Sequence, residues 1–302
     1  MDNVSQLPGV NPTREPALER SERIEVLTRV CVDELLEAFG LGGLGGGRRP
    51  LELLSQVPAK RLARQIATYD EIVGESGLAE GGAWALERMA RRVEVEGQEN
   101  VPAEGPLLLA ANHPGLADSL ALFATVPRRD LRVVAYEMPF LKVLPNTSRC
   151  LISVAEASPG RFGVVRTATR HLRSGGAVLV FPGGEIEPDP AVLPGAIEAL
   201  GRWSESLELF ARLVPDLTVV PAAVSGVLSP IALHNPVVLV RRRRRDREWL
   251  ASRLQMLMPI LRNVTTRVAF GRPAYAEAFA DGTVRGTVLD EMQRLIERCV
   301  VR

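Results

Sequence analysis

His113 and Asp118 stand five residues apart in Asn112-His113-Pro114-Gly115-Leu116-Ala117-Asp118, between the apolar run Leu107 to Ala111 and a stretch with apolar residues at helical spacing. The pattern reads as strand, turn, helix. An imidazole in such a turn and a carboxylate in the first helical turn or so can fold back onto each other. The carboxylate then holds one ring nitrogen and leaves the other free as a base, the logic used in hydrolytic triads. No nucleophile elbow of the G-x-S-x-G kind lies nearby, so the pair suits direct deprotonation of an incoming hydroxyl better than formation of an acyl-enzyme. The same spacing also suits a histidine that merely caps a helix in a Pro-Gly turn.

A second apolar run, Ala177 to Phe181, leads into Phe181-Pro182-Gly183-Gly184-Glu185. Two glycines after a proline let a backbone approach a ligand closely and can present amide N–H groups to a thioester oxyanion or a phosphate. Pro-Gly-Gly is also ordinary turn chemistry, and Glu185 can simply be solvated.

Taken together, in this order and at this separation, the two blocks resemble the glycerolipid acyltransferase family typified by bacterial lysophosphatidate acyltransferase. An apolar strand ending at a proline, Val219-Val220-Pro221-Ala222-Ala223, is similar to a further block of that family. The resemblance covers roughly residues 95–274. It implies an αβ catalytic domain like that of the glycerol-3-phosphate acyltransferases. It further implies acyl-CoA or acyl-carrier protein as the donor, no separate cofactor, and His113 as base with Asp118 orienting it.

Two departures bear on the substrate. The family carboxylate in the second block is replaced by Gly183, so Glu185 is the expected substitute, displaced by two residues. Members that bind glycerol phosphates usually carry an arginine after the strand matched by Leu151 to Val154, but Ala155-Glu156 follows here. Arg161, Arg166 and Arg170 come next on a predicted helix, with Arg166 and Arg170 on one face, and they are the candidate phosphate ligands. A solvated helix face is the other reading. Substrate binding is thus expected from Asn112, Pro182, Gly183, Gly184, Glu185 and these three arginines. The acceptor is expected to be a glycerol phosphate, a lysophospholipid or a related lipid. A thioesterase-type hydrolase using the same pair, and a lipid-binding protein without turnover, are the alternatives.

Other residues carry less. Gly40, Gly42 and Gly45 satisfy G-x-G-x-x-G, but a helical pattern rather than a strand precedes them, which argues against a nucleotide cofactor. His171 suits a helix C-terminus, and His234 a turn. Arg241 to Arg245 either meets anionic lipid headgroups or forms a solvated strand end. Met138 to Leu144 is a candidate apolar lip for an acyl chain or a core segment.

The elements needed to position this chemistry follow from hydrophobic period. Ser21 to Phe39, Leu51 to Tyr69 and Gly82 to Arg91 read as helices, so residues 1–90 form an N-terminal helical region and 91–302 the catalytic domain. Strands are expected at Arg92 to Val95, Leu107 to Ala111, Leu131 to Ala135, Cys150 to Val154, Ala177 to Phe181, Thr218 to Ala222, Val237 to Val240 and Arg267 to Phe270. Alternation of such runs with helical segments predicts an α/β fold, a mixed and mostly parallel sheet flanked by helices.

Composition narrows the partners. Across 302 residues, 37 Lys and Arg stand against 36 Asp and Glu, so no global charge draws the chain to nucleic acid. The cysteines, Cys31, Cys150 and Cys299, are widely spaced and odd in number, as suits reduced thiols rather than a disulfide framework or a metal site. No stretch reaches the ~20 apolar residues of a membrane span. The expectation is a cytoplasmic protein in peripheral contact with an anionic membrane.

Overall fold

The computed structural model describes residues 19–41, 48–138, 140–154, 160–275 and 284–300. Its strands are β1 (Arg92–Glu96), β2 (Leu107–Ala111), β3 (Arg132–Tyr136), β4 (Leu151–Val154), β5 (Ala177–Val180), β6 (Thr218–Ser225), β7 (Thr265–Phe270) and β8 (Ala274–Tyr275). They form one sheet in the order β1-β7-β6-β2-β5-β3-β4, with β8 against β6. Strands β2 to β6 run parallel, β1 runs parallel to β7, and β7 and β8 run antiparallel to β6. The expected mixed, mostly parallel sheet is present.

The helices among the described residues are α1 (Arg20–Ala38), α2 (Arg48–Ser76), α3 (Leu78–Leu86), α4 (Leu116–Thr125), α5 (Pro145–Ser148) and α6 (Gly160–Arg173). They continue with α7 (Ala196–Leu200), α8 (Ser206–Leu213), α9 (Pro230–Leu233), α10 (Pro236–Leu239), α11 (Arg244–Leu257) and α12 (Val284–Val300).

Strand β2 shows why an unbroken apolar run belongs at the centre of this sheet. Its side chains alternate between two cores: Leu107, Leu109 and Ala111 enter the cluster under α3 and α4, whereas Leu108 and Ala110 enter the one under α6, α8 and α12. With both faces covered, a period of two leaves no position for a polar residue. The connection after β2 passes through α4 on one face, and the one after β5 passes through α7 and α8 on the other. Neighbouring strands whose connections part in this way open a crevice at their carboxyl ends, where α/β folds bind ligands.

The N-terminal helices share the sheet's core, because Tyr69, Val73, Leu78 and Leu86 lie in the same cluster as Leu109 and Leu122. Gly82 is the contact point. A Cβ there would come 2.8 Å from Phe123 Cβ and 2.9 Å from the Leu120 carbonyl oxygen, so its missing side chain lets α3 lie directly on α4.

Several expected elements differ. Val237 to Val240 lies in a helix, α10, and not in a strand. Pro236 at its first turn and the Asn235 side chain, which accepts from Val237 N–H, start a helix there and override β-branched propensity. Arg241 to Arg245 therefore leads into α11 instead of ending a strand. Helix α2 runs on to Ser76 through Pro58, and the third helix ends at Leu86, earlier than expected. Strand β6 continues to Ser225 despite Pro221. That proline falls where β6 changes partner from β8 to β7, so its missing N–H breaks no rung of the ladder. In the expected lip, Phe140, Leu141, Val143 and Leu144 pack into the core with Leu27 and Ala63, and Met138 is exposed; Pro139 lies outside the described residues. Gly42 and Gly45 do as well.

Candidate active site

Neighbouring strands deliver the two motif blocks to the same edge. Ala110 of β2 is in register with Val180 of β5, so the chain leaves the sheet at His113 and at Phe181 side by side. Their rings stack with centroids 4.4 Å apart.

Asp118, fully buried in the first turn of α4, reaches back to the histidine: its Oδ2 lies 2.7 Å from His113 Nδ1. The same oxygen accepts from Gly115 N–H at 3.1 Å, and Oδ1 accepts from Ser119 N–H at 2.5 Å. A carboxylate held by backbone amides and accepting from Nδ1–H fixes the tautomer that leaves Nε2 as the basic nitrogen. The histidine side chain keeps 26 % of its surface exposed, so the ring is supported from below and open on one side. Burial works against protonating it, but the Asp118 and Glu187 carboxylates outweigh burial and hold the imidazole above its ordinary range.

Asn112 is buried and turned away from the crevice. Its Nδ2 donates to the Val224 carbonyl at 2.9 Å and its Oδ1 accepts from Val224 N–H at 2.7 Å. With the amide thus occupied, Asn112 pins the histidine turn to β6 instead of binding substrate.

In the second block, Gly184 has φ 67°, a left-handed conformation that glycine adopts without penalty, and its N–H closes the turn onto the Phe181 carbonyl at 3.0 Å. Gly184 N–H is therefore committed. Gly183 N–H has no acceptor among the described residues. Pro182 is buried, with its carbonyl accepting from Ser204 N–H.

Glu185 is exposed, and the carboxylate beside His113 is Glu187, which is 4 % exposed. Glu187 N–H donates to the His113 carbonyl at 2.8 Å, and Glu187 Oε2 accepts from His113 N–H at 3.3 Å. Trp203 Nε1–H donates to Oε1 at 2.8 Å. Burial pushes Glu187 above the usual carboxylate range, opposed by these bonds and by the positive charge nearby. Two residues on, the buried Asp189 accepts from the N–H groups of Ala191, Gly226, Val227 and Leu228, which ties the loop after β5 to the loop after β6. The sequence signal for both is two carboxylates, Glu187 and Asp189, each followed by proline, close behind a strand-ending turn.

The arginines divide along α6, which starts at the carboxyl end of β4 and runs back across the sheet. Arg161 lies in its first turn, at the same edge of the sheet as His113, and its side chain is outside the described residues. Arg170 is in the last turn, at the opposite edge, and Arg166 is partway there; both are exposed. Arg170 thus lies at the far edge from the His113 crevice, with Arg166 between the two. Two other histidines are engaged elsewhere, His171 Nε2 with the Asp130 carbonyl at 2.7 Å and His234 Nδ1 with the Pro230 carbonyl at 2.8 Å. The three cysteines are free. No cluster that could hold a metal ion occurs among the described residues.

Large apolar side chains gather at the carboxyl edge of the sheet, where His113 lies. Leu116 follows β2, Tyr136 ends β3 and Met138 follows it, Phe162 lies in the first turn of α6 after β4, and Ile186 follows β5; all are exposed, Phe162 to 87 %. Five such side chains at one edge are more than scattered surface apolarity explains.

Residues 92–225 match the family model described as Acyltransferase. Three uncharacterized mycobacterial proteins, from Mycobacterium bovis and two strains of Mycobacterium tuberculosis, are each 40% identical over 101 residues. That match spans 31% of this chain and only 26% of each relative. The crystal structure of the 1-acyl-sn-glycerophosphate (LPA) acyltransferase PlsC from Thermotoga maritima aligns over 94% of this chain and 97% of its own, with 16% identity and a TM-score of 0.45. The matched segment contains β1 to β6, the His113–Asp118 turn and the Phe181–Gly184 turn, so it is over residues 92–225, which hold the candidate site, that this chain is similar to the acyltransferase family.

Proposed function

We propose that this protein transfers a fatty acyl group from an acyl-CoA or acyl-carrier-protein thioester to a hydroxyl of a glycerol phosphate, lysophospholipid or related lipid, in phospholipid biosynthesis and without a cofactor. The carrying observation is the buried Asp118 carboxylate 2.7 Å from Nδ1 of a histidine whose other face is open at the carboxyl edge of the sheet. In this reading Nε2 takes the proton of the acceptor hydroxyl as its oxygen attacks the thioester carbonyl. The C–S bond then breaks, and the imidazolium returns the proton to the departing thiolate. Gly183 N–H is the candidate donor to the carbonyl oxygen that becomes negative in between. The apolar rim suits the acyl chain and the lipid acceptor, and Arg161, in the first turn of α6, is the candidate ligand for an acceptor phosphate.

The test is release of free thiol from a long-chain acyl thioester with and without glycerol 3-phosphate or a lysophospholipid. Thiol release that depends on acceptor and disappears in His113→Ala supports transfer. Release at the same rate without acceptor identifies a hydrolase, and acyl binding without release identifies a lipid-binding protein.

Peripheral contact with an anionic membrane, from the cytoplasmic side where free thiols persist, is part of the same reading. Helix α10 exposes Val237 and Leu239, and Val240 just after it is exposed to 78 %, immediately before Arg241 to Arg245. Arg241 pairs with Asp246 and Arg244 with Glu248, but Arg242, Arg243 and Arg245 make no ion pair among the described residues. No helix among the described residues is long and apolar enough to cross a membrane. Co-sedimentation with phosphatidylglycerol vesicles, weakened in the Arg242→Ser, Arg243→Ser, Arg245→Ser triple variant, is expected; equal binding to neutral vesicles counts against it.

A further inference from the structure

The Glu187 carboxylate occupies the place that a side chain at position 183 would need. An ideal Cβ on Gly183 would fall 2.1 Å from Glu187 Oε1 and 3.1 Å from its Cδ, and the three heavy atoms nearest to it all belong to Glu187. Backbone conformation is no obstacle to a side chain there, since Gly184 but not Gly183 has positive φ. A carboxylate has thus entered the second motif from four residues downstream and fills the space above Gly183.

From there it touches both halves of the site. One oxygen accepts from the His113 amide, and the backbone of Glu187 donates to the His113 carbonyl, so residue 187 clamps the histidine turn on both sides. The other oxygen is held by Trp203, whose carbonyl in turn accepts from the Arg285 guanidinium of α12 at 2.9 Å. Ser204, the next residue, holds the Pro182 carbonyl. The result is a chain of polar contacts from α12 through Trp203 and Glu187 to the backbone of the candidate base.

We propose that Glu187 is a positioning residue of this site: its buried negative charge stands in for a carboxylate at position 183 and fixes the His113 turn against the Phe181–Gly184 turn. Catalytic consequences rest on the acyltransferase reading, but the titration of the ring does not.

The experiment is an NMR titration of the His113 imidazole in the full-length protein, with the resonance assigned by its loss in His113→Gln. In Glu187→Gln, which keeps the shape and one acceptor oxygen, the imidazole pKa is expected to move down while the thermal transition stays near that of the unaltered protein. In Glu187→Ala the same shift is expected, together with about a tenfold to hundredfold loss of acceptor-dependent rate as the turn loosens. Adding Gly183→Glu to Glu187→Ala should return the titration toward its original position and recover part of the rate. An unchanged His113 titration in Glu187→Gln overturns the electrostatic role, and a Gly183→Glu/Glu187→Ala protein no better than Glu187→Ala overturns the exchange of positions. If no acceptor tested supports turnover, the titration arm still decides, so failure of the enzymatic reading and failure of this inference remain distinct.

Discussion

The side-chain amide of Asn112 pairs with the backbone of Val224 as one strand pairs with another, donating to its carbonyl at 2.9 Å and accepting from its N–H at 2.7 Å. The contact extends the β2–β6 ladder beyond Ala111 and Ala222, where β2 itself has ended. Asn112→Ala strands two buried backbone groups. At ~1–3 kcal/mol each it is expected to lower unfolding free energy by about 2–5 kcal/mol in urea titration. Asn112→Asp, which replaces the donor by an oxygen facing the Val224 carbonyl, is expected to be no better.

Removing the partner of the imidazole is expected to affect rate more than fold. Asp118→Asn retains the volume but loses the charge, and is expected to reduce acceptor-dependent turnover by about 10²–10⁴-fold, the usual contribution of a positioned base. Thiol release measured at saturating acceptor checks this, and a rate within a factor of two of the unaltered protein counts against the pair as catalytic machinery.

The pH profile follows from the direction of the His113 shift. A general base must be neutral, so kcat/KM is expected to fall as pH drops through an imidazole pKa lying above the ordinary 6.5. Stability runs the other way. A histidine whose pKa is raised by folding adds stability that is complete below its unfolded pKa and fades as pH rises through the folded value. The melting-temperature gap between the protein and His113→Gln is therefore expected to be widest near about pH 6 and to narrow in alkaline buffer.

Gly82 sets how closely α3 lies on α4, the helix that carries Asp118. Gly82→Val places methyl groups where Phe123 and the Leu120 carbonyl already sit, and is expected to cost about 1–3 kcal/mol by overpacking. Circular dichroism during thermal melting reads the loss. A fall in turnover at temperatures where the variant is still folded would show that Asp118 has been displaced along with its helix.

Asp70 of α2 is fully buried and accepts from Thr147 N–H and Thr147 Oγ1–H, both at 2.8 Å, with Asn146 and Arg23 alongside. It anchors the α5 segment between β3 and β4 to the N-terminal helices. Asp70→Ala leaves these donors unpaired and is expected to destabilise the protein by roughly 3–5 kcal/mol, the cost of breaking a buried charged network. Hydrogen exchange should show the loss of protection first at Thr147 to Ser148.

How far the sequence alone determined this protein depends on the distance over which each feature is decided. Central strands such as β2, β5 and β6 were legible because a strand buried on both faces is largely apolar, and the His113–Asp118 pair because five residues of strand-turn-helix bring the two groups within reach of each other. Where local signals compete the sequence was ambiguous: Val237 to Val240 has strand-like residues, but Asn235 and Pro236 start a helix. The remaining features are properties of the tertiary structure. Asn112 is a fastener and not a ligand because Val224, 112 residues away, arrives beside it. Arg170 falls away from the crevice because α6 runs backward over the sheet. Glu187, and not Glu185, becomes the buried carboxylate because the left-handed turn at Gly184 sends the chain past His113 before returning it to Trp203. Hydrophobic period is written locally along the chain, whereas which charge is desolvated and which amide is satisfied depends on neighbours that only folding supplies.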